Sequence, residues 1–390
     1  MFDAHQVDGQ QLTLLQNGAA YFPKLCADID AAQSFIYLET YIFAADEAGL
    51  IVSQALQCAA LRGVSVRLLM DGFGSAYLPA SWLDELYAAG VQVQWFRREI
   101  YRFKLRRHRL RRLHRKLVVL DGEVAYIGGI NIIADATGNG AGNMPRLDFA
   151  VRVQGAVAGE IYSVMRRLWS AVSWAGQNTR GKRLERFMVD ADKKYNSLSI
   201  KLLLRDNLRH RRDIERAYLI AISTAKHEVV IANAYFMPGR IFRRALIQAA
   251  QRGVRVVLLL QGKVEHRLLH YATHALYAQL LAAGVEIYEY QASLLHAKVA
   301  VVDGKWATVG SSNIDPFSLL LAREANLVVL DEGFAATLRG NLFAAITQDA
   351  QRIEANHWRR QVWGARLVAR LSYAVVRLMI GVLGYGKRVV

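Results

Sequence analysis

A block of 18 residues occurs twice in this chain, and any fold proposed for it has to accommodate both copies. The first runs from His114 through Lys116 and Asp121 to Gly128, Gly129 and Asn131; the second runs from His296 through Lys298 and Asp303 to Gly310, Ser311 and Asn313. Both read H-x-K-x4-D-x6-G-(G/S)-x-N. A strand alternates its side chains, so His and Lys two apart share one face, and the apolar run between Lys and Asp suits a strand buried in a sheet. The Gly-(G/S)-x-Asn segment adds a tight turn and a side-chain amide, both suited to an anionic oxygen. Two such half-sites brought face to face would make one pocket with two His, two Lys and two Asn.

The stretches around the blocks repeat as well. Residues 11–16 read as a strand, 18–33 as a helix, 34–43 as a strand, 48–62 as a helix stopped by Gly63, and 64–70 as a strand. A helix over 81–89, stopped by Gly90, and a strand over 91–96 follow. The second half runs strand 199–205, helix 213–226, strand 228–235, helix 241–252, strand 254–260, helix 268–283 and strand 285–290, and 332–352 reads as a closing helix. Arg62-Gly63-Val64 matches Arg252-Gly253-Val254, and Ala88-Ala89-Gly90-Val91 matches Ala282-Ala283-Gly284-Val285, which points to duplication. The expected fold class is α/β: two duplicated lobes, each a mostly parallel sheet flanked by helices, related by a pseudo-twofold axis, with an amphipathic C-terminal tail. The expected boundaries are 1–175 for the first lobe, 176–196 for a polar linker, 197–352 for the second lobe and 353–390 for the tail.

Two imidazoles beside two lysines, with no cluster of acids, suit metal-free work on a phosphodiester. The cations neutralise the non-bridging oxygens, one His attacks phosphorus and the other protonates the leaving alkoxide. Neither a metal nor a cofactor is expected, because no His, Cys or carboxylate set has zinc-ligand spacing. A nucleophilic His needs its other ring nitrogen held by a carboxylate or carbonyl. Asp148 and Glu324, each opening a strand after its motif, are the candidates. Asp121 and Asp303 precede Gly122 and Gly304, so a turn role is the preferred reading of both, ahead of direct chemistry.

These paired motifs resemble those of the phospholipase D superfamily. The stretches Ala232-Asn233-Ala234-Tyr235-Phe236-Met237-Pro238 and Gly310 through Ser318 resemble bacterial cardiolipin synthases, the type without N-terminal membrane spans. The resemblance covers roughly residues 10 to 350. It implies that His114 is the covalently phosphatidylated nucleophile and His296 the general acid and then base, with Asp121 and Asp303 completing the catalytic motifs. Lys116, Lys298, Asn131 and Asn313 would hold the phosphate, and Asp148 and Glu324 would orient the histidines. One position departs: Ala322 stands where the resemblance implies Asn two residues before the acid.

The halves differ by 12 residues, since Gly90 lies 24 before His114 and Gly284 lies 12 before His296. The excess is a basic insertion, 97–113, in which Tyr101, Phe103, Leu105 and Leu110 interleave with arginines. This suits a lipid interface, although arginines stacking on bases would read alike. A net charge of +17 calls for a polyanionic partner, either an anionic membrane or nucleic acid. The tail chooses between them. At 100° per residue, Arg359, Arg366, Arg370 and Arg377 fall within about 20° of one line, opposite a face containing Val362, Leu367, Leu371, Val375 and Leu378. A span needs about 20 mostly apolar residues and Arg377 interrupts the run, so an in-plane interfacial helix is expected.

The expected partner is therefore an anionic phospholipid membrane (phosphatidylglycerol, cardiolipin) and not nucleic acid. The expected activity is phosphatidyl transfer giving cardiolipin, with hydrolysis of the phospholipase D type or a nuclease of the same superfamily as the competing readings. Two cysteines, Cys26 and Cys58, suggest no disulfide framework, and Met1–Asp8 lacks a secretory pattern. A peripheral or monotopic place on the cytoplasmic face of the bacterial inner membrane follows.

Overall fold

The computed structural model describes residues 4–98, 111–135, 145–176, 199–206, 209–315, 318, 322–355 and 363–380. Most of the basic insertion and nearly all of the expected linker lie outside these. The chain separates into two compact units, Met1–Asp135 with Ala150–Leu202, and Ala136–Phe149 with Leu203–Val390.

The first sheet is built from β1 (Ala4–Val7), β2 (Gln10–Gln16), β3 (Phe35–Thr40), β4 (Ser65–Asp71), β5 (Gln92–Phe96), β6 (Lys116–Leu120), β7 (Val124–Gly128) and β8 (Phe149–Gln154). Four helices accompany it: α1 (Asn17–Ala31), α2 (Glu47–Leu61), α3 (Ala80–Ala88) and α4 (Ala156–Gly176). Its strand order is β1-β2-β8-β7-β6-β3-β4-β5. The helical crossovers make β3, β4 and β5 parallel. A short turn joins β6 to β7 and reverses the chain, and β6 runs antiparallel to both β3 and β7, and β7 to β8. The sheet is thus mixed, where the strand-helix-strand rhythm predicted a mostly parallel one.

The second sheet follows the same plan from β9 (Ile200–Arg205), β10 (Glu228–Asn233), β11 (Arg255–Gln261), β12 (Glu286–Tyr290), β13 (Lys298–Val302), β14 (Trp306–Gly310), β15 (Glu324–Leu330) and β16 (Ala350–Arg352). Its helices are α5 (Asp213–Thr224), α6 (Arg240–Gln251), α7 (Arg267–Ala282), α8 (Glu332–Asp349) and α9 (Trp363–Ile380). The order is β16-β12-β11-β10-β13-β14-β15-β9, with β10-β11-β12 parallel and β13 antiparallel to β10 and β14. The closing helix ends at Asp349, earlier than the sequence suggests, because residues 350–352 leave it to pair antiparallel with β12.

The helix stops fall where the sequence puts them. Gly63, Gly90, Gly253 and Gly284 all have φ near +90° (87 to 93°), the left-handed turn that closes a helix at little cost only for glycine. One core lies between the first sheet and α1–α3, the other between the second sheet and α5–α7. Val118 and Leu120 point into the first, Ala300 and Val302 into the second. Period-2 alternation then puts His114 and Lys116, and likewise His296 and Lys298, on these core-facing sides, beyond the last packed residue.

Candidate active site

Both motif aspartates build the turn behind the motif strand. Asp121, at φ +55°, accepts hydrogen bonds from the backbone N–H groups of Gln33, Ser34 and Phe35, each at 2.8 Å. Asp303, at φ +51°, does the same for Lys226, His227 and Glu228 at 2.8 to 2.9 Å. Burial works to raise the Asp303 pKa, but the three amides outweigh it and hold the carboxyl below its ordinary value. Both aspartates lie at the strand end opposite the His-Lys pair.

In the first unit, Lys116 is buried and its Nζ donates to the His114 carbonyl at 2.6 Å. The ammonium also lies 5.5 Å from the Tyr41 ring centroid, and that ring lies 4.9 Å from the His114 ring. A cation over an aromatic face keeps its charge at less cost than in an apolar pocket. Asn131 accepts from the Ile42 amide at 3.2 Å, which ties the loop after β7 to the end of β3.

In the second unit, His296 Nδ1 lies 2.6 Å from Asp148 Oδ2. That geometry fixes the tautomer and leaves Nε2 for chemistry. Asp148 follows the first motif in sequence yet serves the histidine of the second. The backbone makes the exchange firm, because Leu147 N–H donates to Leu294 O at 3.0 Å and His296 N–H donates to Leu147 O at 2.9 Å. Lys298 is fully buried and donates to the His296 carbonyl. Burial lowers its pKa to about 8, while Asp148, Glu324, Glu265 and Asp315 pull the other way. Glu324, also buried, accepts from Ser311 Oγ at 2.5 Å. Asn313 keeps a buried Oδ1 without a hydrogen-bond partner among the described residues, and the following amide, of Ile314, donates to Asn233 at 3.1 Å. Gly310 admits no side chain, because a Cβ there would lie 2.2 Å from the Asn326 side chain. At the departing position, Ala322 contributes its carbonyl, which accepts from Arg205.

Three supports escaped sequence reasoning. Arg115, between His114 and Lys116, points to the opposite face and pairs with Glu39 of β3, both nearly inaccessible, with one contact at 2.9 Å. Its alternation with the two cations was the available signal. Asp71, at the end of β4, takes the Leu113 amide at 2.8 Å, and Gln261, at the end of β11, takes the Leu295 amide at 3.2 Å. The residue before each motif histidine is therefore held from the neighbouring parallel segment. Nothing local in the sequence marks such a contact, which spans 42 residues in one copy and 34 in the other.

The family described as cardiolipin synthase, PLD-like domain, matches residues 25–169 and 218–345. Cardiolipin synthase B of Escherichia coli (strain K12) is 37% identical over 379 residues, covering 97% of this chain and 90% of that protein. Cardiolipin synthase A of Klebsiella pneumoniae (strain 342) is 32% identical over 380 residues, covering 94% of this chain and 75% of that protein. Among solved structures, phosphatidylserine synthase from Haemophilus influenzae shares the fold, with a TM-score of 0.70 over 100% of this chain and 97% of that chain at 15% identity.

Proposed function

Because this chain belongs to the cardiolipin synthase family of phospholipase D-like proteins, we propose that it is a phosphatidyltransferase that makes cardiolipin from two molecules of phosphatidylglycerol at a membrane surface. The His296–Asp148 pair beside the buried Lys298 carries this reading, together with a second His-Lys pair of identical spacing. In this reading both His-Lys pairs serve the same phosphodiester. His114 attacks it, the bond from phosphorus to the glycerol oxygen breaks, and His296, as imidazolium, gives its proton to the departing glycerol. The second phosphatidylglycerol then offers a glycerol hydroxyl. His296 removes its proton, the new P–O bond forms, and the P–N bond to His114 breaks. Asp148 stabilises the His296 imidazolium that opens the first step and re-forms in the second. Lys116, Lys298, Asn131 and Asn313 take the non-bridging oxygens, so the charge is met by side chains alone. Water in place of the acceptor gives hydrolysis to phosphatidic acid.

Membrane association is supported by α9. It buries Ala369 and Val376 while Leu367, Leu371, Val375 and Leu378 are exposed, and Arg370 shares the outward surface. Among the described residues no helix is long and apolar enough to cross a membrane. A bilayer-surface place on the cytoplasmic face of the bacterial inner membrane fits the +17 charge and two free cysteines. The test supplies purified protein with labelled phosphatidylglycerol and, separately, labelled DNA. Cardiolipin is the expected product, and His114→Ala abolishes the labelled covalent adduct. Cleaved DNA with untouched lipid would sink the assignment.

A further inference from the structure

A cavity opens in the second unit between the first turns of α7 and the ends of β10 and β11. It holds about 360 Å³ of atom-free space including its mouth, and its lining includes Tyr235, Gln261, Glu265, His266, His270 and His274. The three histidines stand four residues apart, one turn each on one helix face. The rings of His270 and His274 lie 4.2 Å apart, and His274 is committed at 2.9 Å to Glu289, which also accepts from Tyr277. At the mouth, Tyr235 donates to Glu265 at 2.5 Å and its ring lies 5.5 Å from that of His266.

The decisive group is Gln261. It is 9% exposed, its carbonyl oxygen is committed to the Leu295 amide, and its Nε2 is buried with no hydrogen-bond partner among the described residues. A buried donor left without an acceptor is costly, and an acceptor arriving in the cavity would relieve it. The same side chain is one residue removed from His296, so whatever satisfies it lies beside the proposed acid-base group. Glu265 is also close enough to Lys298 to favour its charge.

The lining chemistry is that of alcohol recognition. Among the described residues the lining holds one cation, Lys263, whose Nζ donates to the Ala292 carbonyl, and a phosphate would also meet the Glu265 carboxylate. Burial and the neighbouring His274 lower the pKa of His270, so at neutral pH it contributes a neutral ring with one donor and one acceptor. Carboxylates accept from hydroxyl hydrogens, and the Gln261 amide and an imidazole N–H donate to hydroxyl oxygens. Neighbouring hydroxyls on one small group satisfy both kinds.

We propose that this cavity is the subsite for the polyol group of the acceptor, read by Gln261 Nε2, His270 and Glu265. The inference rests on the phosphatidyltransferase reading and adds to it where the second substrate is recognised. It is tested by the ratio of cardiolipin to phosphatidic acid formed from labelled phosphatidylglycerol vesicles, and in a parallel arm by incorporation of labelled free glycerol into lipid. His270→Leu lowers the transfer-to-hydrolysis ratio about tenfold, the worth of one hydrogen bond, and His270→Gln restores most of it. Gln261→Glu keeps the oxygen that holds Leu295, loses the donor, and raises the apparent KM for acceptor. A fall in both arms assigns the cavity to the glycerol group itself, and a fall only with vesicles assigns it to the lipid-borne head group. If the wild type consumes donor and these variants leave the ratio unchanged in both arms, the subsite is wrong and the transferase reading stands. If the wild type consumes no lipid, the transferase reading itself fails, and the subsite with it.

Discussion

On the proposed reading, Lys298 sets a limit on working pH. Burial favours its neutral form and brings the pKa down to about 8, so the ammonium is present below that value and lost above it. With Lys298 on the phosphate, kcat/KM for phosphatidylglycerol falls as pH rises through about 8. Lys298→Arg, whose guanidinium stays charged, removes that alkaline limb while lowering the plateau. A pH profile unchanged by the substitution would place the lysine away from substrate. The motif aspartates predict a different loss. Asp303→Ala strands three backbone amides at a left-handed position, which costs about 2–4 kcal/mol at roughly 1 kcal/mol or more per hydrogen bond. Asn, which can accept from those amides and tolerates that backbone, costs less. Thermal denaturation reads both. Because the Asp303 carboxyl sits below its ordinary pKa, its contribution is present above about pH 4 and fades as pH falls through the folded value. The turn role was legible from Asp-Gly spacing; the partners, some 75 to 88 residues away, were not.

Among the elements, α9 separates two uses of one amphipathic pattern. The wheel of residues 359–378 predicts a cationic line and an apolar side, but it cannot say how much of the apolar side the protein keeps for itself. The structure answers by packing. Val376 has no exposure and joins the core with α5–α7, and Tyr373 lies 5.8 Å from the Arg243 guanidinium, while a leucine row remains outside. The two parts predict opposite phenotypes. Val376→Ala costs about 1–3 kcal/mol of stability by removing buried methyls. Leu371→Glu with Leu378→Glu leaves the melting temperature within about 1 °C, because surface changes stay within roughly 0.5 kcal/mol, and weakens binding to phosphatidylglycerol vesicles in a sedimentation assay. A double variant that melts early and still binds vesicles would reverse the assignment. Sequence periodicity found most strands and helices in both lobes because glycine stops and apolar alternation are local signals. It missed β1 and β16, and with them β7, β14 and α4. The first two are short edge strands defined only by their partners, and α4 carries few of the caps that mark a helix start.

At the scale of the whole molecule, duplication explains how much the sequence disclosed. Two copies of one spacing reveal the strands that bear His114 and His296, and both lie at the centre of their sheets between antiparallel neighbours. What duplication hides is where the copies diverge. Arg115 pairs with Glu39, whereas the matching position in the second copy is Ala297; Asp71 holds one motif entrance and Gln261 the other. A further divergence from simple repetition lies in how the chain is shared. Leu147 pairs with the backbone of Leu294 and His296 in the second unit, bringing Asp148 to His296. A gene cut at the expected linker would therefore yield a C-terminal fragment whose imidazole has no carboxylate, and an N-terminal fragment carrying an acid with nothing to serve. The carboxylate that serves the second motif histidine is thus encoded beside the first motif, out of reach of any chain that begins after residue 196.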